Sequence, residues 1–555
     1  MRSFARTVTA AAVALLVLPP VVAPAHAQAP PSVFLEELTW TEVRAAIDAG
    51  HTTVIVPTAG TEQNGPHMVL GKHRYIVNHA AGMMAEELGD ALVAPAMVYV
   101  PEGNVDPPSG HMRMAGTITL PNEFFMNTLE YAARSLASHG FTDIVFIGDS
   151  GGNQRGMESV SGTLNQEWAG SGVRVHFVGD YYAEHGFDEW LVSQGVPRDR
   201  IGSHAGVSDT SQLLYVAAEH IRGSELAPGG GFEGSGVNGD PTLATAEFGR
   251  MGVRLKVDAA LRQIRRLRDG VEPPAPGAPP TSDEVERARR QAEADAAYQA
   301  EMAEPRPIEA LNSVWIEELT WMEVRDEIRA GKTTAIVPTG GIEPNGPWVA
   351  TGKHNYVLQS ACDMLARELG NALCAPIVKL VPEGQIDPPT GHMRYPGTLS
   401  VRMETFEATL TDLANSLRAH GFTDVVFIGD SGSNQRGQAA VAARLNTAWS
   451  GGARVHHIGE FYNYDDVLAY MEGPLGFEQP VDDGLHDNFY ITSIMMVTDP
   501  TVVRYDQRVA AGKTLINGLD IHPKERAIEL GRKLLAFRVE ATVAAIHASM
   551  AAGGP

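Results

Sequence analysis

Glu62, His73 and Asp149 are of the side-chain types that hold a divalent ion, and all three recur 281 residues later as Glu343, His354 and Asp430. Two carboxylates and an imidazole suit Zn, Mn or Fe and leave positions open for water and substrate. An ion so held lowers the pKa of bound water and polarises a carbonyl, which is what hydrolysis of an amide requires. The expectation is one ion per half, through Glu62/His73/Asp149 and through Glu343/His354/Asp430. Lys72, His111, Arg113 and His204, with His392 and Arg394 in the second half, are the candidates for orienting substrate oxygens, moving protons and stabilising an oxyanion. Taken singly, each residue also has a structural explanation: Glu62 as an acceptor in a tight loop, His73 filling a core gap, Asp149 capping a helix, Lys72 pairing with Glu102.

These residues belong to a larger repetition. The stretch from Thr142 to Gly156 returns as Thr423 to Gly437, Trp40 matches Trp321 and His111 matches His392, with a slip of one residue near His204 and His486. About 240 residues per copy is enough for an independent domain, so the period marks two homologous domains rather than a solenoid. Within the first copy, Thr52 to Pro57 is a β-branched run, Val77 to Leu88 has helical periodicity and Ala91 to Val100 is extended. Asn122 to His139 then reads as an amphipathic helix, and Asp143 to Ile147 and Val173 to Val178 as strands. Alternation of this kind predicts an α/β fold with a mainly parallel sheet, whose ligands sit beyond the carboxyl ends of the strands. The retained polar residues fall there.

Residues 1–27 carry Arg2 and Arg6, an apolar run and Ala25-His26-Ala27, the pattern of a secretory signal with a small-x-small cleavage site. The expected mature protein is periplasmic or secreted, with no membrane association after cleavage. Domain 1 is expected over 28–269, a Pro-rich and then helical linker over 270–312, and domain 2 over 313–555. The formal net charge is −24, and no cluster of Lys and Arg suggests phosphate contact, which argues against nucleic acid as a partner. Cys362 and Cys374 are the only cysteines, both in the second copy; a disulfide or two buried thiols are open at this point.

The chain resembles the creatininase family, the creatinine amidohydrolases. The resemblance runs through Glu62-Gln63-Asn64-Gly65-Pro66-His67 after a Val-Pro strand and the loop from His111 to Gly116-Thr117. It continues through Ser135 to Phe141, the Gly-rich turn at Gly148, and His204-Ala205-Gly206 before Thr210-Ser211, with counterparts in the second half. It implies two three-layer α/β/α domains, metal-dependent hydrolysis of a C–N bond in a small or cyclic amide, and assembly into oligomers. It also implies departures. Glu62 and Glu343 take a family ligand position, but Asn64 and Asn345 stand where a ligand His is expected. His73 and His354 stand where a bridging Asp is expected, and Ser150 and Ser431 where another ligand His is expected.

Two other readings start from the same residues. Gly148-Asp149-Ser150-Gly151 could present Ser150 as a nucleophile, with His111 or His204 as the candidate base. Loss of family ligands in both copies could instead mark a non-catalytic ligand-binding or scaffold protein. If only one half works, the first is favoured, because it keeps His67, Ala205-Gly206 and Asp209 where the second has Trp348, Asp487-Asn488 and Ile491.

Overall fold

The computed structural model describes residues 31–223, 236–270, 302–306, 309–449, 452–481 and 486–552. The expected signal segment and most of the expected linker lie outside the described residues. Each half carries a four-stranded parallel sheet. In the first, β1 (Thr53–Thr58), β2 (Ala91–Val93), β3 (Asp143–Gly148) and β4 (Arg174–Phe177) are ordered β2-β1-β3-β4. In the second, β5 (Thr334–Thr339), β6 (Ala372–Cys374), β7 (Asp424–Gly429) and β8 (Arg454–His457) repeat that order. Thr53 is paired with Ala91 and with Asp143, and Thr334 with Ala372 and Asp424, so the register repeats as well.

The two-residue period of the strands sorts the core into layers. Val54, Val56 and Phe146 face α3 (Asn122–Ser138) and α4 (Gln154–Glu167). Ile55, Val145 and Ile147 face α2 (Lys72–Leu88) and, beyond the turn-borne helix α5 (Val207–Val216), the long α6 (Ala246–Arg268). This is the three-layer α/β/α arrangement, and α7 (Trp321–Arg329), α8 (Lys353–Leu369), α9 (Met403–Ala419), α10 (Asn434–Ala448), α11 (Phe489–Thr498) and α12 (Lys524–Ala552) build the same layers in the second half. Cys362 of α8 and Cys374 of β6 are joined as a disulfide. Helix α12 is, by length and composition alone, long and apolar enough to cross a membrane. Its Leu530, Leu534 and Leu535 are packed into the core of the second half and Arg538 is fully buried there, as in a core helix of a folded domain.

The α3 and α9 faces share one apolar core that runs through both halves. Around it the contacts are reciprocal. Leu70 N and Gly71 N donate to Leu319 O and Glu317 O (both 2.9 Å), while Thr351 N and Gly352 N donate to Leu38 O (2.8 Å) and Glu36 O (3.0 Å). A Cβ on Gly71 would lie 2.8 Å from Glu317 O and one on Gly352 2.7 Å from Glu36 O, so glycine is what lets the halves approach. Arg222 donates from Nε to Glu323 (2.8 Å) and Arg504 from Nε to Glu42 (2.8 Å). Glu42 and Glu323 are also the capping-box residues of α1 (Trp40–Asp48) and α7, so helix starts and interface are fixed by the same carboxylates.

His139 Nε2 donates to Thr398 O (3.1 Å) and His420 Nε2 to Thr117 O (2.8 Å) across this interface, and burial pushes both imidazoles down to about 4. A base whose folded pKa is depressed stabilises the fold fully above its unfolded pKa, about 6.5, and that stability is lost as pH falls towards about 4. The melting temperature is therefore expected to fall between pH 6.5 and pH 4.5. His139→Gln/His420→Gln, which keeps an N–H for each carbonyl, should flatten that fall; an equal fall in both proteins would count against the assignment.

Candidate functional site

The carboxyl ends of β1 and β3 carry the chemistry. Glu62 lies beyond β1 and Asp149 follows β3 directly, its N–H donating to Thr58 O (3.1 Å). Lys72 and His73 open α2, which begins five residues before the periodicity at Val77 would place it. Gly71 starts the helix where the other half presses on it, and both polar side chains are thereby buried. His111 sits in a single 3-10 turn, Gly110–Arg113. His204 sits in the turn before α5, where Ala205 takes a positive φ of 54°.

His73 bridges two carboxylates, with Nε2 2.7 Å from Glu62 and Nδ1 2.8 Å from Asp149. Burial and Lys72 oppose a charge on this ring, but Glu62 and Asp149 prevail and its pKa is raised. Asp149 is held at about 2: burial acts to raise it, and Lys256 together with His73 outweighs that. Glu62 is held well below the usual range against burial, by His111 and His73. Glu102, also buried, is pushed well above the usual range by burial and by the neighbouring Glu62.

The set expected to share one ion is therefore brought together, but not around a common point. The two nitrogens of an imidazole point apart, so Glu62 and Asp149 lie on opposite sides of His73, and both ring nitrogens are occupied. The group that does converge is Glu62, His111 and His204, whose ligand atoms lie within 4.8 Å of one another; Glu343, His392 and His486 repeat it. His111 and His204, expected in proton transfer or substrate orientation, thus stand at ligand distance from the carboxylate, and His73 and Asp149 stand behind it.

The first-half group fits a divalent ion by its donor chemistry. His204 Nε2 donates to Gln63 O (2.8 Å), which leaves a lone pair on Nδ1, 3.7 Å from Glu62. Burial and Lys72 push His204 down to about 4, so the ring is neutral at pH 7. A lone pair facing a carboxylate is the arrangement a cation relieves, and a backbone carbonyl on the far nitrogen is the usual support for a ligating imidazole. His111 Nε2 is 3.5 Å from Glu62, and its Nδ1 is 3.2 Å from Gln63 Nε2. Gln63 Oε1 accepts from Gly65 N (3.0 Å), so its amino end faces His111, and ligation through His111 Nε2 requires that amide to turn. In the second half, His392 Nδ1 lies between Glu343 (2.8 Å) and Glu383 (2.9 Å); burial opposes the charge, but those hydrogen bonds raise the ring to about 10. There Lys353 also donates to Glu343 (3.2 Å).

Lys72 does not pair with Glu102. Its Nζ donates to Asp209 (2.7 Å), which also accepts from Ala205 N (2.8 Å), so the lysine fixes the turn that presents His204. In the second half that aspartate is Ile491, and Lys353 turns to Glu343 instead. Arg113 donates to Gly110 O (3.2 Å) and Arg394 is exposed on the equivalent turn. Ser150 is buried and, among the described residues, accepts or donates no side-chain hydrogen bond to a histidine, so no base serves it as a nucleophile. The second-half group opens into a cavity of about 1290 Å³, lined by Glu343, Lys353, His392, His486, Tyr462 and Asp466 among others.

Two residues escaped the sequence reading. Lys256 of α6 is ion-paired with Asp149, and Arg538 of α12 with Asp430 (2.6 Å). The signal was a basic residue at matching places of the last helix of each half, once the one-residue slip is allowed.

Residues 36–264 and 317–546 each match the family model Creatininase, creatinine amidohydrolase. The chain is similar to the mycofactocin precursor peptide peptidase of Mycolicibacterium smegmatis, 28% identical over 235 residues, which are 38% of this chain and 84% of the relative. It is similar also to the creatinine amidohydrolase of Pseudomonas putida, 28% identical over 194 residues, 33% of this chain and 72% of the relative. A crystal structure of creatinine amidohydrolase (creatininase) aligns over 43% of this chain and 98% of its own, with a TM-score of 0.36 and 23% identity.

Proposed function

Because the chain belongs to the creatininase family through both of its halves, we propose that it is an exported, metal-dependent hydrolase of a C–N bond in a small or cyclic amide. The observation that carries this reading is the convergence of Glu62, His111 and His204 at the strand ends, with a bare His204 lone pair aimed at the carboxylate. A divalent ion held there supplies a polarised carbonyl and a more acidic water. The chain's own residues do the rest. Glu62, kept ionised by His111 and His73, would balance the charge of the ion; His204 Nδ1 and, once the Gln63 amide turns, His111 Nε2 would give it their lone pairs; and Lys72, through Asp209 and Ala205, keeps His204 in place. Export is supported by the N-terminal Arg-apolar-Ala-x-Ala pattern and by the bonded pair Cys362–Cys374, which suits an oxidising compartment.

A peptide is the second substrate reading, favoured by the relatives named as peptide peptidases and by the room in the second-half cavity. The test is turnover by the full chain, stripped with a chelator and reloaded with Zn, Mn or Fe, against a panel of cyclic amides, formamides and short peptides. Metal-restored release of amine from any member supports the reading. No turnover with any metal, by a protein that binds amides from the same panel, would favour the non-catalytic alternative.

A further inference from the structure

Asp149 and Asp430 are buried in each site, and the oxygens of both are already held by charged or polar side chains. Asp149 is 6% exposed; one oxygen is held by His73 Nδ1 and the other by Lys256, whose ammonium also sits 4.5 Å from the Tyr181 ring centroid. Asp430 is fully buried and is held by His354 Nδ1 (2.7 Å), Tyr464 OH (2.7 Å) and Arg538 Nη2 (2.6 Å). Arg538 is itself fixed by donating from Nε and Nη2 to Phe461 O (2.9 and 2.7 Å) and lies 3.9 Å over the Phe461 ring. The two halves use different cations, an ammonium and a guanidinium, on different supports, and still deliver one fixed positive charge to the same carboxylate. Lys and Arg are not interchangeable in shape or hydrogen bonding, so what the two copies share is the charge.

We propose that Lys256 and Arg538 are positioning residues that take the place of an inner metal ion, closing the row Glu62–His73–Asp149 (Glu343–His354–Asp430) to metal so that each half accepts at most one divalent ion, at the outer histidines. The row is a line of alternating charges: cation, carboxylate, imidazole, carboxylate. Its far end is Glu62, one of whose oxygens is engaged by His73 while the other faces His111. A divalent ion set into the row would lie beside a buried ammonium, and would have to displace a hydrogen bond from each ligand it took. The outer ion rests on the reading of Glu62, His111 and His204 given under Proposed function; the closure of the row rests on the ion pairs alone.

The test uses the full chain, stripped by chelator, with Zn2+ as the probe. Wild type is expected to bind no more than one equivalent per half by elemental analysis after gel filtration. Asp149→Asn is expected to keep the wild-type zinc content while melting at a lower temperature. Two equivalents per half, or loss of zinc from a folded Asp149→Asn protein, would overturn the proposal. A second readout does not involve metal: melting temperatures of Asp149→Asn, Lys256→Met and the double variant. The double variant is expected to lose clearly less than the two single losses together, and Lys256→Arg, which keeps the charge in a different shape, to lose less than Lys256→Met; simple additivity overturns the proposal. Absence of zinc from wild type would remove the metal reading of the function, and the coupling between Asp149 and Lys256 would still decide this inference.

Discussion

Glu62→Gln is expected to lower kcat/KM by about a thousandfold or more and to strip the first half of its metal, with the fold retained. Glu62 is the one residue shared by the inner row and the outer group, with His73 on one side and His111 and His204 on the other. The amide keeps the size and an acceptor for His73, but removes the charge that a divalent ligand set requires. Loss of a residue that acts only when the reacting carbonyl develops charge commonly costs 10²–10³ in rate, and loss of a ligating carboxylate adds the loss of the ion. Glu343→Gln is the internal control. If the first half is the working one, Glu343→Gln retains most activity; if the second half works through its cavity, the order of the two variants inverts. Near-wild-type turnover in both would sink the assignment of either group.

Much of this geometry was written in the chain at the level of elements. β-branched runs ended by Pro and Gly become β1 and β5, the continuous apolar run in Asp143–Gly148 becomes a buried inner strand, and the polar residues kept in both copies do sit beyond strand ends. The ligand grouping was not legible. Whether His73 or His111 shares an ion with Glu62 depends on which way two ring nitrogens point, and that is set by the start of α2 at Gly71, a point fixed by backbone contacts from the other half. The upward shift of Glu102 comes from sharing a buried site with Glu62, which spacing does not reveal. Lys256 and Arg538 lie on long helices far along the chain, where a basic residue reads as part of a solvated face; only burial against Asp149 and Asp430 distinguishes them from the other basic residues of α6 and α12.

The differences between the halves follow from single substitutions in the same frame. Asp209 in the first half and Ile491 in the second decide whether the buried lysine holds the histidine turn or the ligand carboxylate. Asp487 stands at the place of Ala205 and is paired with Arg508 (3.2 Å), so the second turn is fixed by different charges and leaves His486 half exposed. The first half therefore presents a neutral, oriented imidazole to Glu62, and the second presents charged groups to Glu343. One frame serves two electrostatic settings.

Arg222→Met is expected to destabilise the chain by about 3–5 kcal/mol, the range for removing one partner of a buried ion pair. Arg222 and Glu323 have side chains 2% and 0% exposed, and the guanidinium is bidentate, with Nη2 3.1 Å from the second carboxylate oxygen. Glu323 also accepts from Thr320 N (2.7 Å) and Leu311 N (3.1 Å), so the loss leaves an uncompensated charge at the start of α7 and loosens the segment that enters it. The counterpart, Arg504→Met, should cost less, because Arg504 and Glu42 are 9% and 22% exposed and water can take up part of the charge. Arg222→Met/Glu323→Gln should recover part of the loss, since no buried charge is then left alone while the amide can still cap the helix. Denaturant unfolding of the four proteins measures this directly. A loss below about 1 kcal/mol for Arg222→Met, or equal losses for the two arginines, would mean that the apolar core between α3 and α9 holds the halves together without help from the ion pairs.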